Sequence, residues 1–265
     1  MNTDELVSLS AEPLRLDPPG AVRRLGLIAL GTDLTSERDF ARLVPQDRAA
    51  VHTARIAFEN PTTPESLRRM QPGLTRAADL ILPDIPLDAI CYSCTAASVV
   101  IGDEAVAGAI QAARPGVPVV TPTGAARAAF HALGVRRIAI LTPYLVETSQ
   151  PMAAYFTRHG LAVARLHCLG MEDDREMARV SRETIVNAAL AVDTPEAEAL
   201  FISCTALPAL GAIAEIEART GKPVVTSNQA SIWAMLCHAG LGGGTEGYGV
   251  LFRHGLPAGG GGGAA

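Results

Sequence analysis

The chain has 265 residues, of which 48% are hydrophobic, 18% charged and 4% aromatic. That composition supplies a sizeable core of small aliphatic side chains and excludes both a disulfide-stapled miniature and a wholly disordered chain. The 22 lysines and arginines against 27 aspartates and glutamates leave a net charge of −5, so there is no broad basic face for a polyanion and nucleic acid is not an expected partner.

Residues 1–21 are polar, lack a sustained period and end near the DPPG turn, which predicts a strand-poor N-terminal arm. The opening MNTDELVSLS has acids where a secretory leader would carry basic residues. No stretch approaches the ~20 apolar residues of a membrane helix. The best candidate, residues 199–214, is broken by Ser203, Thr205, Pro208 and Gly211. The expected setting is the cytoplasm, with no membrane partner and five reduced thiols.

Short β-branched or apolar runs then alternate with helical patterns, at residues 25–30, 87–93, 118–121, 138–142, 161–166, 200–203 and 223–226. Such alternation predicts an α/β fold with mostly parallel sheet covered by helices. The glycine run at residues 259–265 offers no side chain to pack and is expected to be disordered.

Three segments of the first half recur in the second, in order. VRRLGLIAL at Val22 returns as VRRIAILTP at Val135, CYSCTAASVVIG around Cys94 as LFISCTALPALG around Cys204, and GVPVVTPTGAARAAF from Gly116 as GKPVVTSNQASIWAM from Gly221. The offsets drift but the order holds, which predicts two similar lobes facing each other across a pseudo-twofold axis.

In both copies a strand is expected to end in Ser-Cys-Thr with a helix beginning soon after, at the sheet edge where α/β proteins bind ligands. A helix N-terminus beside a thiol favours the thiolate. Facing lobes would set Cys94 opposite Cys204, an arrangement suited to moving a proton on and off one carbon. A single buried cysteine is most often a small hydrophobe, but the repeated triplet favours chemistry at both positions. Cys91, Cys168 and Cys237 lack such a match and are read as structural. The CxxC of Cys91 and Cys94 has no second pair, and the six histidines show no metal-ligand spacing, so no metal site is expected. The glycines at residues 242–244 lack phosphate-binding spacing and read as a loop. ESLRR at Glu65 and EIEAR at Glu215 read as solvated helix faces.

These motifs, with GLIALGTDLTSE, TPY ending at Tyr144 and GMEDDREMARV from Gly170, resemble the Asp/Glu racemase superfamily. The similarity is greatest to its maleate isomerase and arylmalonate decarboxylase branch. The wording of CYSCTAASVVIG and TPYLVETSQPM resembles the ectoine-utilisation protein A type, an isomerase-like member of an ectoine and hydroxyectoine breakdown operon. The resemblance implies a racemase-like fold of two lobes: residues 22–121 joined by 227–258, and residues 122–226. It implies that Cys94 and Cys204 match the catalytic cysteines of the isomerases and racemases. The first of these positions is glycine in the decarboxylase, so Cys94 speaks against simple decarboxylation. Thr95 and Thr205 match residues that hold a substrate carboxylate, and Tyr144 matches a carboxylate-binding tyrosine.

Two positions depart from the family pattern. Asp33 and Asp174 stand where maleate isomerases carry asparagine, and an ionised aspartate would repel the carboxylate that an amide binds. Maleate is therefore expected to fit poorly, and a substrate with an amine, amidine or hydroxyl to fit better. Alternatively, Asp33 caps a helix near Ser36 and Asp174 caps one running toward Val192. The function expected is a cofactor-independent isomerase or racemase acting beside a carboxylate, by proton transfer or by thiol addition to a double bond. No pyridoxal-type lysine is evident, Lys222 being the only lysine. A maleate isomerase, an arylmalonate-type decarboxylase and a non-catalytic binding protein for a small carboxylated metabolite are the alternatives. A homo-oligomer is compatible with the sequence. If the site is catalytic, Cys94 or Cys204 is expected to alkylate faster than Cys168.

Overall fold

The apolar runs that open the two halves of the repeat become interior strands of two separate sheets in a computed structural model, which describes residues 6–18, 20–243 and 245–257. In chain order the first half holds β1 (Arg23–Leu30), α1 (Ser36–Leu43), β2 (Ala49–Ile56), α2 (Pro64–Arg68), α3 (Leu74–Leu80), β3 (Ala89–Tyr92), α4 (Thr95–Ile101), α5 (Asp103–Gln111), β4 (Val119–Val120) and α6 (Pro122–Ala132). The second half holds β5 (Arg137–Tyr144), α7 (Val146–Arg158), β6 (Ala162–Met171), α8 (Asp174–Met177), α9 (Arg182–Val192), β7 (Ala199–Ile202), α10 (Ile213–Thr220), β8 (Val224–Thr226) and α11 (Ser227–His238).

The first sheet has the order β2-β1-β3-β4 and the second β6-β5-β7-β8. Every pairing is parallel. Each repeated segment thus occupies the same place in its own sheet, which is the two-lobed α/β architecture the internal repeat implies. In each sheet the chain leaves the first strand toward one side and resumes on the other. The crevice at that reversal is where open α/β sheets receive ligands. The segments after β1 and β3 meet at one such crevice, and those after β5 and β7 at the other.

One strand escaped the sequence pattern. β2 reads AAVHTARI and is partly exposed along most of its length, so an edge strand with His52, Thr53 and Arg55 shows no apolar run to detect. β6 extends to Met171, well past the apolar stretch at residues 161–166, as another half-exposed edge with two register shifts against β5. Both solvated helix faces are present, with exposed pairs Glu65–Arg69 (3.3 Å) and Glu215–Arg219 (3.5 Å).

Phe130, Phe156 and Phe201 meet edge to face at centroid distances of 5.2–6.3 Å in the core beside the second sheet, a geometry that aligns ring edges with ring faces. α11 is buried along nearly its whole length and packs on α6, α1, β3 and β8. Thr226 and Gln229 close a capping box at its start, which fixes the entry angle of Ser227 and Asn228. Residues 6–18 form neither helix nor strand, and the expected disordered tail at residues 259–265 lies outside the described residues.

Candidate active site

The two Ser-Cys-Thr triplets are alike in sequence and different in backbone. Cys94 follows β3 as the N-cap of α4, with φ −151° and ψ 107°, and its carbonyl accepts from Ser98 N–H (3.0 Å). Cys204 follows β7 at φ +99°, a region that costs a non-glycine residue about 1–3 kcal/mol. The helix expected just after it is absent. The chain instead bends through Pro208 to a 3-10 turn at Leu210–Ala212 before α10.

Side chains from other elements hold this bent segment. Cys204 N–H donates to Ser227 Oγ (3.0 Å), and Thr205 Oγ1 donates to the Ser93 carbonyl (3.1 Å). Asn228 Nδ2 donates to the Thr205 carbonyl (2.9 Å), and Thr35 Oγ1 to that of Ala206 (2.7 Å). Each of three consecutive residues, Cys204, Thr205 and Ala206, thereby has one backbone polar group satisfied by a side chain from another element.

Cys94 and Cys204 line one small cavity, of about 20 Å³, together with Asp33, Tyr144, Asp174 and Thr205. Leu30, Phe58, Leu67 and Met177 supply apolar wall, and Met177 Sδ lies 4.0 Å from Cys204 Sγ. No lysine, arginine or histidine lines it among the described residues. At its edge the segment after β2 is tied to the segment after β6 and to α7, with Thr62 N–H donating to Glu172 O (2.9 Å), Asn60 Nδ2 to Asp174 Oδ1 (2.8 Å) and Thr148 Oγ1 of α7 to Thr62 O (3.1 Å).

Six of the seven residues picked from sequence thus reach one cavity. Thr95 stands apart: its side chain is fully buried and its Oγ1 donates to Ser227 Oγ (2.8 Å). That serine accepts from both motifs and joins Thr95 to the backbone of Cys204.

Burial reverses the expected acidity of the thiols. Cys94 is 5% exposed and Cys204 6%. Desolvation pushes Cys94 up to about 12 and Cys204 to about 11, from 9.0, with the neighbouring acids adding to the rise. The opposing donors are the Ala97 amide at Cys94, and at Cys204 the Tyr144 hydroxyl with the Ala206 and Leu207 amides. The helix terminus at Cys94 is therefore outweighed, and Cys204 is the less strongly raised of the pair. A thiolate formed here is a stronger base than an exposed one, which suits removal of a carbon-bound proton. Tyr144 is itself raised well above its ordinary range by burial and by the two cysteines.

The aspartates have partners within the protein. Asp33 Oδ1 accepts from the N–H groups of Thr35 (2.7 Å) and Ser36 (2.8 Å), and Oδ2 from Ser36 Oγ (2.5 Å). It thus holds the first amides of α1, whose N-cap residue is Thr35, while lining the cavity. Burial raises its pKa against those hydrogen bonds. Asp174 caps no helix: Asp173 caps α8 and Ser181 caps α9. Its carboxylate instead takes Asn60 Nδ2 and Thr32 Oγ1, joining the lobes.

Sequence reasoning missed Thr35, Asp39, Ser227 and Asn228. The available signal was the polar run TSNQAS at the head of an otherwise apolar helix.

The family model described as arylmalonate decarboxylase matches residues 95–252. Arylmalonate decarboxylase of Bordetella bronchiseptica is 35% identical over 140 residues, 52% of this chain and 58% of that protein. Maleate isomerase of Nocardia farcinica is 27% identical over 243 residues, 88% of this chain and 96% of that protein. A solved structure of Nocardia farcinica maleate cis-trans isomerase, a cysteine-to-serine mutant with a covalently bound succinylcysteine intermediate, matches with a TM-score of 0.81 at 26% identity, covering 88% of this chain and 98% of that one.

Proposed function

The chain belongs to the arylmalonate decarboxylase family, and from that premise we propose that it is a cofactor-independent isomerase or racemase working at a carbon beside a carboxylate. Cys94 and Cys204 are its catalytic pair. The observation that carries this reading is that two thiols far apart in the chain line one small cavity without a basic side chain. In such a site an anionic intermediate must be stabilised by hydroxyl and amide donors, which Tyr144 and the segment from Cys204 to Leu207 supply.

By proton transfer, Cys204, the more readily ionised thiol, takes the α-proton as the C–H electron pair moves onto the substrate carboxylate. Cys94 returns a proton to the opposite face, and the reverse reaction exchanges the roles. The second reading is thiolate addition to a double bond, rotation about the resulting single bond and elimination. The succinylcysteine intermediate in the Nocardia relative favours it.

Asp33 and Asp174 facing the cavity support a substrate carrying an amine, amidine or hydroxyl group besides its carboxylate. The wording around Cys94 and Tyr144 supports a place in ectoine or hydroxyectoine breakdown. We also assign residues 22–121 with 227–258 to the first lobe and residues 122–226 to the second, supported by the packing of α11 on α1 and β3. The test is incubation of ectoine-pathway amino acids and of maleate in deuterated water, followed by NMR. Deuterium entering the α-position with inversion supports proton transfer, and cis-trans conversion supports addition. Binding of these compounds without either change leaves a non-catalytic binding protein.

A further inference from the structure

Asp39 and Asn228 meet behind the bent segment that carries Cys204. Asn228 Nδ2 donates one hydrogen to Asp39 Oδ2 (2.9 Å) and the other to the Thr205 carbonyl (2.9 Å). Both side chains are buried, and each has one oxygen left over: Asp39 Oδ1 and Asn228 Oδ1 have no partner. Turning the amide over would set its oxygen against the Thr205 carbonyl, so its orientation is settled by the two acceptors it faces. On a pair already joined by one hydrogen bond, a single proton between the two leftover oxygens would satisfy both.

We propose that Asp39 is a neutral carboxylic acid that donates its proton to Asn228 Oδ1, and that this acid–amide pair is the positioning element for the Cys204 segment. One proton satisfies both orphaned oxygens. Asn228 then holds the Thr205 carbonyl, and with it the Ala206 and Leu207 amides that face the Cys204 sulfur. The groups acting on Asp39 agree with this. Burial is the largest influence and raises it to about 6; Asp33 adds to the rise, while Asn228, Arg42 and Arg38 oppose it. A hydrogen bond made only by the neutral acid raises it further.

The inference rests on the catalytic reading of Cys204, but its chemistry is testable without turnover. Infrared difference spectra between wild type and Asp39→Asn should show a protonated carboxyl at pH 5 that titrates away at pH 6 or above. Its absence at pH 5 would mean an ionised Asp39 and overturn the proposal. Amide hydrogen exchange at residues 204–207 should be faster in Asp39→Ala and restored in Asp39→Asn, whose amide can donate to Asn228 as the acid does. Equal exchange in Asp39→Ala and wild type would overturn the positioning role, and equal acceleration in both variants the acid–amide pair. On a turned-over substrate, Asp39→Ala should lower kcat about tenfold or more with a smaller change in KM, with rescue in Asp39→Asn. An unchanged kcat in Asp39→Ala would refute the assignment.

Discussion

Thr205 Oγ1 reaches across to the carbonyl of Ser93 at 3.1 Å, so the residue after one cavity cysteine is bonded to the residue before the other. This bond ties the two Ser-Cys-Thr motifs directly. Replacing Thr205 by valine keeps the shape and leaves a buried carbonyl without this donor, a loss of about 1–3 kcal/mol. Chemical denaturation of Thr205→Val should show that loss, and a variant as stable as wild type would mean the bond is dispensable.

Cys94→Ala and Cys204→Ala should each abolish inversion in both directions, with a fall of at least ~10²-fold for a lost acid or base. The remaining thiol can still wash deuterium into the enantiomer it faces. Measuring inversion and wash-in separately distinguishes the routes. Inversion surviving in either variant excludes a two-base scheme.

Alkylation should follow burial and not catalytic role. Because desolvation holds Cys94 and Cys204 at about 12 and about 11, partly exposed Cys168 should react before both at neutral pH, the reverse of the order expected from sequence. Raising the pH should bring in Cys204 before Cys94. Peptide mass spectrometry after timed iodoacetamide exposure reads this order, and early labelling of Cys94 would contradict it.

Asp33→Asn with Asp174→Asn should raise turnover of maleate relative to an amine-bearing substrate. Each change converts an acceptor facing the cavity into a side chain with a donor. A wild type already efficient with maleate would show that the two aspartates do not repel it.

Stability should fall as pH rises from about 4 to 6 through Asp39. Its folded value, about 6, lies above the ordinary 3.8, so the folded state holds a proton that the unfolded state has released in this interval. The contribution is full below the unfolded value and is lost as pH climbs to the folded one, a change of about 3 kcal/mol at ~1.4 kcal/mol per unit. Urea midpoints of wild type and Asp39→Asn across this range should diverge on the wild-type side. Parallel curves would count against a raised Asp39.

The sequence by itself determined the pairing of like with like. Repeated strands announce two sheets because each strand's hydrophobic pattern is local, and the repeated Ser-Cys-Thr marks equivalent sheet edges by position alone. Strand β2 stayed hidden because an exposed edge has no apolar pattern to read. Only the tertiary structure decided how the two cysteines differ. The helix at Cys94 and the positive φ of Cys204 follow from what surrounds them, and their acidity follows from burial, which no local window contains. The same holds for the bonds from Thr95 to Ser227 and from Asn228 to Asp39, which span 132 and 189 residues. Hydrogen bonds between such distant positions carry no periodicity, so they exist only once the two lobes and α11 have been brought together.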